Sequence, residues 1–211
     1  MLIMQKLSPQ LEDSDLKEGQ LVNSITLTPY DQPILFIPLQ LTKQRRYWKD
    51  RAEGGGMLCG SVSSGAGLAP DVGSLIAKNC VGCPENQWVD GKPPHCTFYR
   101  TFPSLVVGAD DIDKLIAISF PETNKFTGGA GKTLANMARM AGGDLFSRIY
   151  HLKSVERQNS KGQKFHALAV EKPSKIHEDD YSQALEYFNM LNKMNVVFDE
   201  ETVKDDDETP F

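Results

Sequence analysis

Nowhere in the 211 residues does an apolar run approach the ~20 residues that a bilayer-spanning helix needs. Helical membrane classes are thereby excluded. The opening stretch MLIMQKLSPQLEDSD is too short in its apolar part and too acidic for a secretory signal, so a cytoplasmic protein is expected. Internal repeats are absent. Cysteine is scarce: there are four, all between positions 59 and 96, and in a reducing compartment they stay thiols. An even spread of charge is also missing. The net charge is −5, but Asp199–Phe211 holds seven acids against Lys204, which leaves +1 for the rest of the chain. With 40% hydrophobic residues, that body can bury one sizeable core.

A phosphate-binding P-loop is almost present, but not quite. Gly131-Lys132-Thr133 ends the pattern G-x-x-x-x-G-K-[ST], yet its first glycine would fall on position 126, which is Phe126. The pattern works because backbone N–H groups of a tight glycine loop, leaving a buried strand, wrap a phosphate. Here PETNKF separates the apolar run from the glycines. A later apolar strand ending in a Mg²⁺-organising carboxylate is also missing. The bland reading is a flexible loop leading into a helix.

Residues 1–31 show no clear period and read as an N-terminal arm. The run ILFIPLQLTKQRRYW is β-rich at first, then basic and aromatic. A Gly-rich, cysteine-bearing insertion, residues 54–97, follows. FYRTFPSLVVG and KLIAISF read as strands. KTLANMARMA places Leu134, Met137, Ala138 and Ala141 on one helix face, ended by Gly142-Gly143. LFSRIYHLKSVERQ and KFHALAVEK read as a hairpin around NSKG. Residues 177–198 read as a C-terminal helix with Tyr181, Leu185, Phe188 and Leu191 on one face. Five strands with a helix between the third and fourth is the element order of an OB-fold. The expected fold is therefore mainly β, a five-stranded barrel over residues 32–176. The zinc-binding insertion would lie between its strands 1 and 2, and a disordered acidic tail would occupy 199–211.

The cysteines are spaced C-x20-C-x2-C-x12-C: Cys59, Cys80, Cys83 and Cys96. A CxxC knuckle gives one tetrahedral ion two thiolates, and two distant cysteines complete the shell. The surrounding GGGM, SSGAG and GKPPHC have little core of their own. A structural metal would supply stability, roughly 10–16 kcal/mol apparent in small zinc peptides. One structural Zn²⁺ is expected. An iron–sulfur cluster, a redox CxxC pair and unrelated buried thiols are the alternatives. His95, beside Cys96, is a substitute ligand. Trp88 is read as the segment's miniature core.

Single-stranded nucleic acid needs cations for its phosphates and flat rings for its bases. Lys43, Arg45, Arg46, Tyr47, Trp48 and Lys49 interleave the two kinds within seven residues. Tyr99 and Arg100 follow in the next strand, Arg148 and Tyr150 in a later one. Lys132 is read as one more phosphate contact. Taken singly, a strand aromatic is more often core than platform, and a charge run is usually a solvated face.

The chain ends DDDETPF. The acids cannot pack, yet the last residue is an aromatic with a free carboxylate. Through Asp205, Asp206, Asp207, Pro210 and Phe211 this tail resembles that of the bacterial single-stranded-DNA-binding proteins, and it departs at Glu208 and Thr209. The C-x2-C-P-x3-W…P-P-x-C portion is similar to phage replication proteins that carry a zinc site beside an OB-fold. The resemblance implies a non-catalytic protein that coats single-stranded DNA and recruits replication or recombination enzymes through its tail. A phage-encoded form would work in the cytoplasm of its bacterial host. Homo-oligomeric or cooperative assembly on DNA is compatible with that role. An enzyme reading (a P-loop NTPase with a zinc module) and a zinc-ribbon adaptor for proteins are the rivals.

Overall fold

The computed structural model describes residues 2–3, 15–23, 26–48, 57–64, 80, 83–92, 94–109, 114–122, 125–140 and 144–194. Strands β1 (Leu2–Ile3), β2 (Leu21–Val22) and β3 (Pro29–Tyr30) form a small antiparallel sheet within the expected arm. The arm is more than an appendage, because Leu21 is fully buried and joins the main core. The Gln32 side chain also ties it down. Its Nε2 donates to the Gly19 carbonyl at 3.1 Å, and its Oε1 accepts from the Ser154 amide at 2.7 Å.

The main sheet is antiparallel and has seven strands. They are β4 (Ile34–Pro38), β5 (Thr42–Trp48), β6 (Met57–Ser64), β7 (Thr97–Val106), β8 (Leu115–Pro121), β9 (Arg148–Gln158) and β10 (Lys164–Lys175). Their order is β10-β9-β4-β7-β5-β6, with β8 also on β7. Strand β7, rich in aromatic and hydroxyl residues, organises the sheet. One of its edges carries β8. The other carries β4 and β5 in succession, with Pro38 opposite Ser104 and Thr42 opposite Thr101. Between these pairs Leu39–Leu41 stand against the shorter Phe102–Pro103, so the chain bulges. Pro103, which has no N–H to give, sits where strands tolerate it. Residues 34–48 are thus one long strand bent in the middle.

Helix α1 (Lys125–Met140) packs on β7, β8 and β10. Its Ala130 and Leu134 enter a core built from Ile34, Phe36, Phe102, Ile118, Phe120, Tyr150 and Leu152. Gly131 sets how closely the helix approaches: a Cβ there would lie 2.8 Å from Cβ of Phe120. Helix α2 (Glu178–Met194) covers a second cluster of Ile37, Leu39, Leu105, Phe146 and Ile149. Its acidic first turn, Glu178-Asp179-Asp180, suits the positive end of the helix dipole. Ala184 and Leu191 are buried in the second cluster, and Tyr181 and Phe188 pack against it half-buried. Leu185, expected on that face, is instead exposed, because position 184 keeps closer to the 3.6-residue period.

The mainly β architecture is as expected, but a closed five-stranded barrel is not seen among the described residues. The main sheet is open. Among the described residues no ladder joins β8 to β10, and α1 packs against both. The two additional strands come from segments whose polarity concealed them. In β5 the buried positions are Thr42, Gln44 and Arg46, an alternation with polar rather than apolar residues inside. In β6, MLCGSVSS, half of the residues are glycine or serine. Strand β6 shows that the insertion expected at 54–97 opens as the partner of β5. The acidic tail, 199–211, lies outside the described residues, as do Lys49 and Ala141.

Candidate nucleic-acid interface and cysteine corner

Strand alternation sorts the basic run of β5 onto two faces. Lys43, Arg45 and Tyr47 share the half-buried face, and Thr42, Gln44 and Arg46 the buried one. On the first face Lys43 stands opposite Arg100 and Arg45 opposite Phe98. The guanidinium carbons of Arg45 and Arg100 each lie 5.2 Å from the Phe98 ring centre. Arg100 is ion-paired with Glu122, and Lys132 of α1 reaches the same carboxylate at 3.7 Å. Burial draws the Arg100 pKa below its ordinary value, and the adjacent carboxylate compensates the buried charge. Lys43 and Arg45 make no ion pair among the described residues. Cations and rings therefore alternate along one face, on which Lys43 and Arg45 are half-buried.

The sheet separates residues that a sequence reading groups together. Arg46 is 5% exposed, donates to Oε1 of Gln44 and lies over the Tyr99 ring at 4.9 Å. It is an internal strut, and it covers one face of Tyr99. Arg100 already holds Glu122. Tyr150 is fully buried against Phe36, ring centres 5.9 Å apart, and presents no face for stacking. Burial raises its hydroxyl pKa, which the nearby Arg148 charge opposes. Tyr47 is stacked on His95 at 5.7 Å. Trp48, opposite Met57, and Arg148 are half-buried.

The four cysteines are free thiols, and Cys59, Cys80 and Cys83 lie near enough to Cys96 to act on its charge. Cys59 faces Tyr47 across the β5–β6 ladder. Cys83 opens a short 3₁₀ turn, Pro84–Asn86, and Cys96 immediately precedes β7. Asn86 Nδ2 donates to the Cys80 carbonyl at 2.9 Å, and the Cys96 amide donates to the Glu85 carbonyl at 3.0 Å. His95 Nδ1 and Glu85 Oε2 are 2.6 Å apart. Burial, with the Cys80, Cys59 and Cys83 thiols nearby, pushes the Cys96 pKa up to about 12, against a smaller lowering by Arg45. A divalent cation would reverse that rise at Cys96, since a coordinating thiol is deprotonated. The thiols are not drawn into a coordination shell: no group of three or more His, Cys, Asp or Glu able to hold a metal is found among the described residues. The donor chemistry of four thiols fits a Cys₄ ion. His95 is engaged with Glu85 and Tyr47 instead of the thiols.

Trp88 is not a miniature core. It is 69% exposed, beside Val89 at 57%. Both lead into the turn Asp90-Gly91, where φ is +50° and +75° and Val89 bridges Lys92. An Asp-Gly pair with both φ positive is the type I′ hairpin turn. That dipeptide, flanked by an aromatic, was the signal in the sequence for a projecting tip. The near-P-loop also takes another form. Gly128, Gly129, Gly131 and Lys132 are inside α1, so the amides from Gly129 onward are spent within the helix and do not form a phosphate-wrapping loop.

The fold and this corner define a mainly β protein with a mixed cationic and aromatic face beside a thiol cluster. Residues 1–197 match the family of Pam3 phage gp34-like proteins, and the chain belongs to that family. The match fits a bacteriophage protein and stops short of the Pro-Phe end. No curated protein and no solved structure matches the chain. No helix among the described residues is long and apolar enough to cross a membrane.

Proposed function

We propose that the protein is a non-catalytic binder of single-stranded DNA, serving phage replication, recombination or repair. The observation that carries this reading is the face on which Lys43, Arg45 and Tyr47 of β5 lie against Phe98 and Arg100 of β7. Single strands need such interleaving, because every base offers a ring face and every phosphate a charge. The order of strands supports an open relative of the OB-fold. In it the β4–β5 strand, β7, β8, β9 and β10 take the five barrel positions, and the cysteine segment occupies the loop that in OB-folds helps to bind oligonucleotides. One zinc ion on Cys59, Cys80, Cys83 and Cys96 would order that loop. The acidic tail, with Asp205, Asp206, Asp207, Pro210 and Phe211, would recruit partner proteins. There Phe211 fills an apolar pocket while the acids meet Arg or Lys.

The direct test is anisotropy of a labelled oligo-dT with wild type and the Lys43→Ala/Arg45→Ala double variant. Wild type binds and the double variant loses most of its affinity. Equal affinity of the two would remove this face from the site.

A further inference from the structure

The ring best placed to receive a base is one outside the basic run. Among the aromatics near the proposed interface, Tyr150 is buried, Tyr99 is capped by Arg46, and Tyr47 has one face on His95. Trp88 is 69% exposed, at the base of a turn whose φ angles and Val89–Lys92 bridge define its shape. That turn is joined to the cationic face by a traceable chain of contacts. Lys43, Arg45 and Tyr47 lie in one row; Tyr47 stacks on His95; His95 Nδ1 meets Glu85 Oε2; and the Cys96 amide holds the Glu85 carbonyl. Trp88 is three positions beyond Glu85, so their Cα atoms are at most about 11 Å apart. Lys92, exposed on the other side of the turn, adds a cation.

We infer that Trp88 is a base-stacking residue at the end of the Lys43–Arg45–Tyr47 row. Phosphates run along the lysine and arginine, and a base leaves the row to lie on the indole. A large ring kept in water costs solvation that stacking recovers; Asp90 and Lys92 of the turn cancel, so it is the positive Lys43–Arg45 row that selects a polyanion over an apolar peptide. The inference rests on the single-strand reading and specifies where its rings are.

The two tryptophans of the chain, Trp48 and Trp88, make the test direct. Full-length Trp48→Phe, Trp88→Phe and Trp88→Ala proteins are titrated with oligo-dT while intrinsic emission and affinity are followed. The Trp48→Phe protein, which emits from Trp88, is quenched on saturation. Trp88→Ala weakens binding by about 5- to 150-fold, and Trp88→Phe keeps most of the affinity because a ring remains. An exposed side chain leaves the urea midpoint unchanged, which separates lost stacking from lost folding. Wild-type affinity in Trp88→Ala, with wild type binding oligo-dT, would assign the indole to a protein contact and overturn the inference while leaving the reading intact. Failure of wild type itself to bind oligo-dT would overturn both.

Discussion

Two glycines in α1, two residues apart, should respond in opposite directions to the same substitution. A Cβ added at Gly129 meets nothing within 4 Å, so alanine there gains helix propensity, about 0.8–1.0 kcal/mol, with nothing to oppose it. At Gly131 the new Cβ lies 2.8 Å from Cβ and 3.0 Å from Cγ of Phe120. Phe120 is fully buried, and its Cβ is fixed to the strand, so rotation cannot relieve the clash. Forcing an extra carbon into such a core costs about 2–3 kcal/mol, the upper part of the usual range. After the propensity gain, Gly131→Ala should be about 1–2 kcal/mol less stable than wild type. In a chain of this size 1 kcal/mol moves Tm by about 2–4 °C. Gly129→Ala should therefore melt about 2–4 °C higher, and Gly131→Ala about 2–8 °C lower, by circular dichroism. Shifts of the same sign would refute the account of α1 as a helix seated on Phe120. A loss of stability in Gly129→Ala would point back to a loop that needs its glycines.

The adjacent arginines of β5 should also part company. Arg46→Ala, which removes a buried charge-assisted hydrogen bond and a ring contact, should lower the urea midpoint by the equivalent of about 2–4 kcal/mol. Arg45→Ala, which gives up only the Phe98 contact, should lower the midpoint by the equivalent of about 0.5–1 kcal/mol and flatten the salt dependence of oligo-dT binding by about 0.7. Zinc should be present at one ion per chain in protein purified without added metal; four titratable thiols in folded, metal-free protein would remove the metal. Deleting Asp199–Phe211 should tighten oligo-dT binding at low salt, where the tethered negative charge competes best, and do little at high salt. Removing Phe211 alone should leave DNA binding nearly unchanged and abolish partner capture, which a pull-down compares directly.

What the sequence revealed follows from how strongly each segment is patterned. Strands β7, β8, β9 and β10 and both helices were legible because apolar residues recur at the period of their element. Strand β5 was not, because its inward positions Gln44 and Arg46 are polar and are joined by a hydrogen bond that no periodicity announces. For the same reason Arg45 and Arg46 looked alike: only the pairing of β5 with β7 assigns one to a half-buried face and the other to the interior. Leu185 and Ala184 were exchanged, because one helical position is a rotation of 100°, and apolar character favoured the larger residue. The thiol corner was legible in spacing alone. Trp88 was misplaced because a large aromatic in a core-poor segment suggests burial, while the adjacent Asp-Gly turn, which carries it outward, is a backbone signal.

The central claim is that the Lys43–Arg45–Tyr47 face receives a single strand. It is tested most directly by titrating the full chain with oligo-dT, oligo-rU and a duplex of the same length over a range of salt. The account predicts tighter binding of the single strands than of the duplex, with log K falling against log salt by about 0.7 for each phosphate contacted. Absence of binding, or a duplex bound as tightly as oligo-dT, would contradict it.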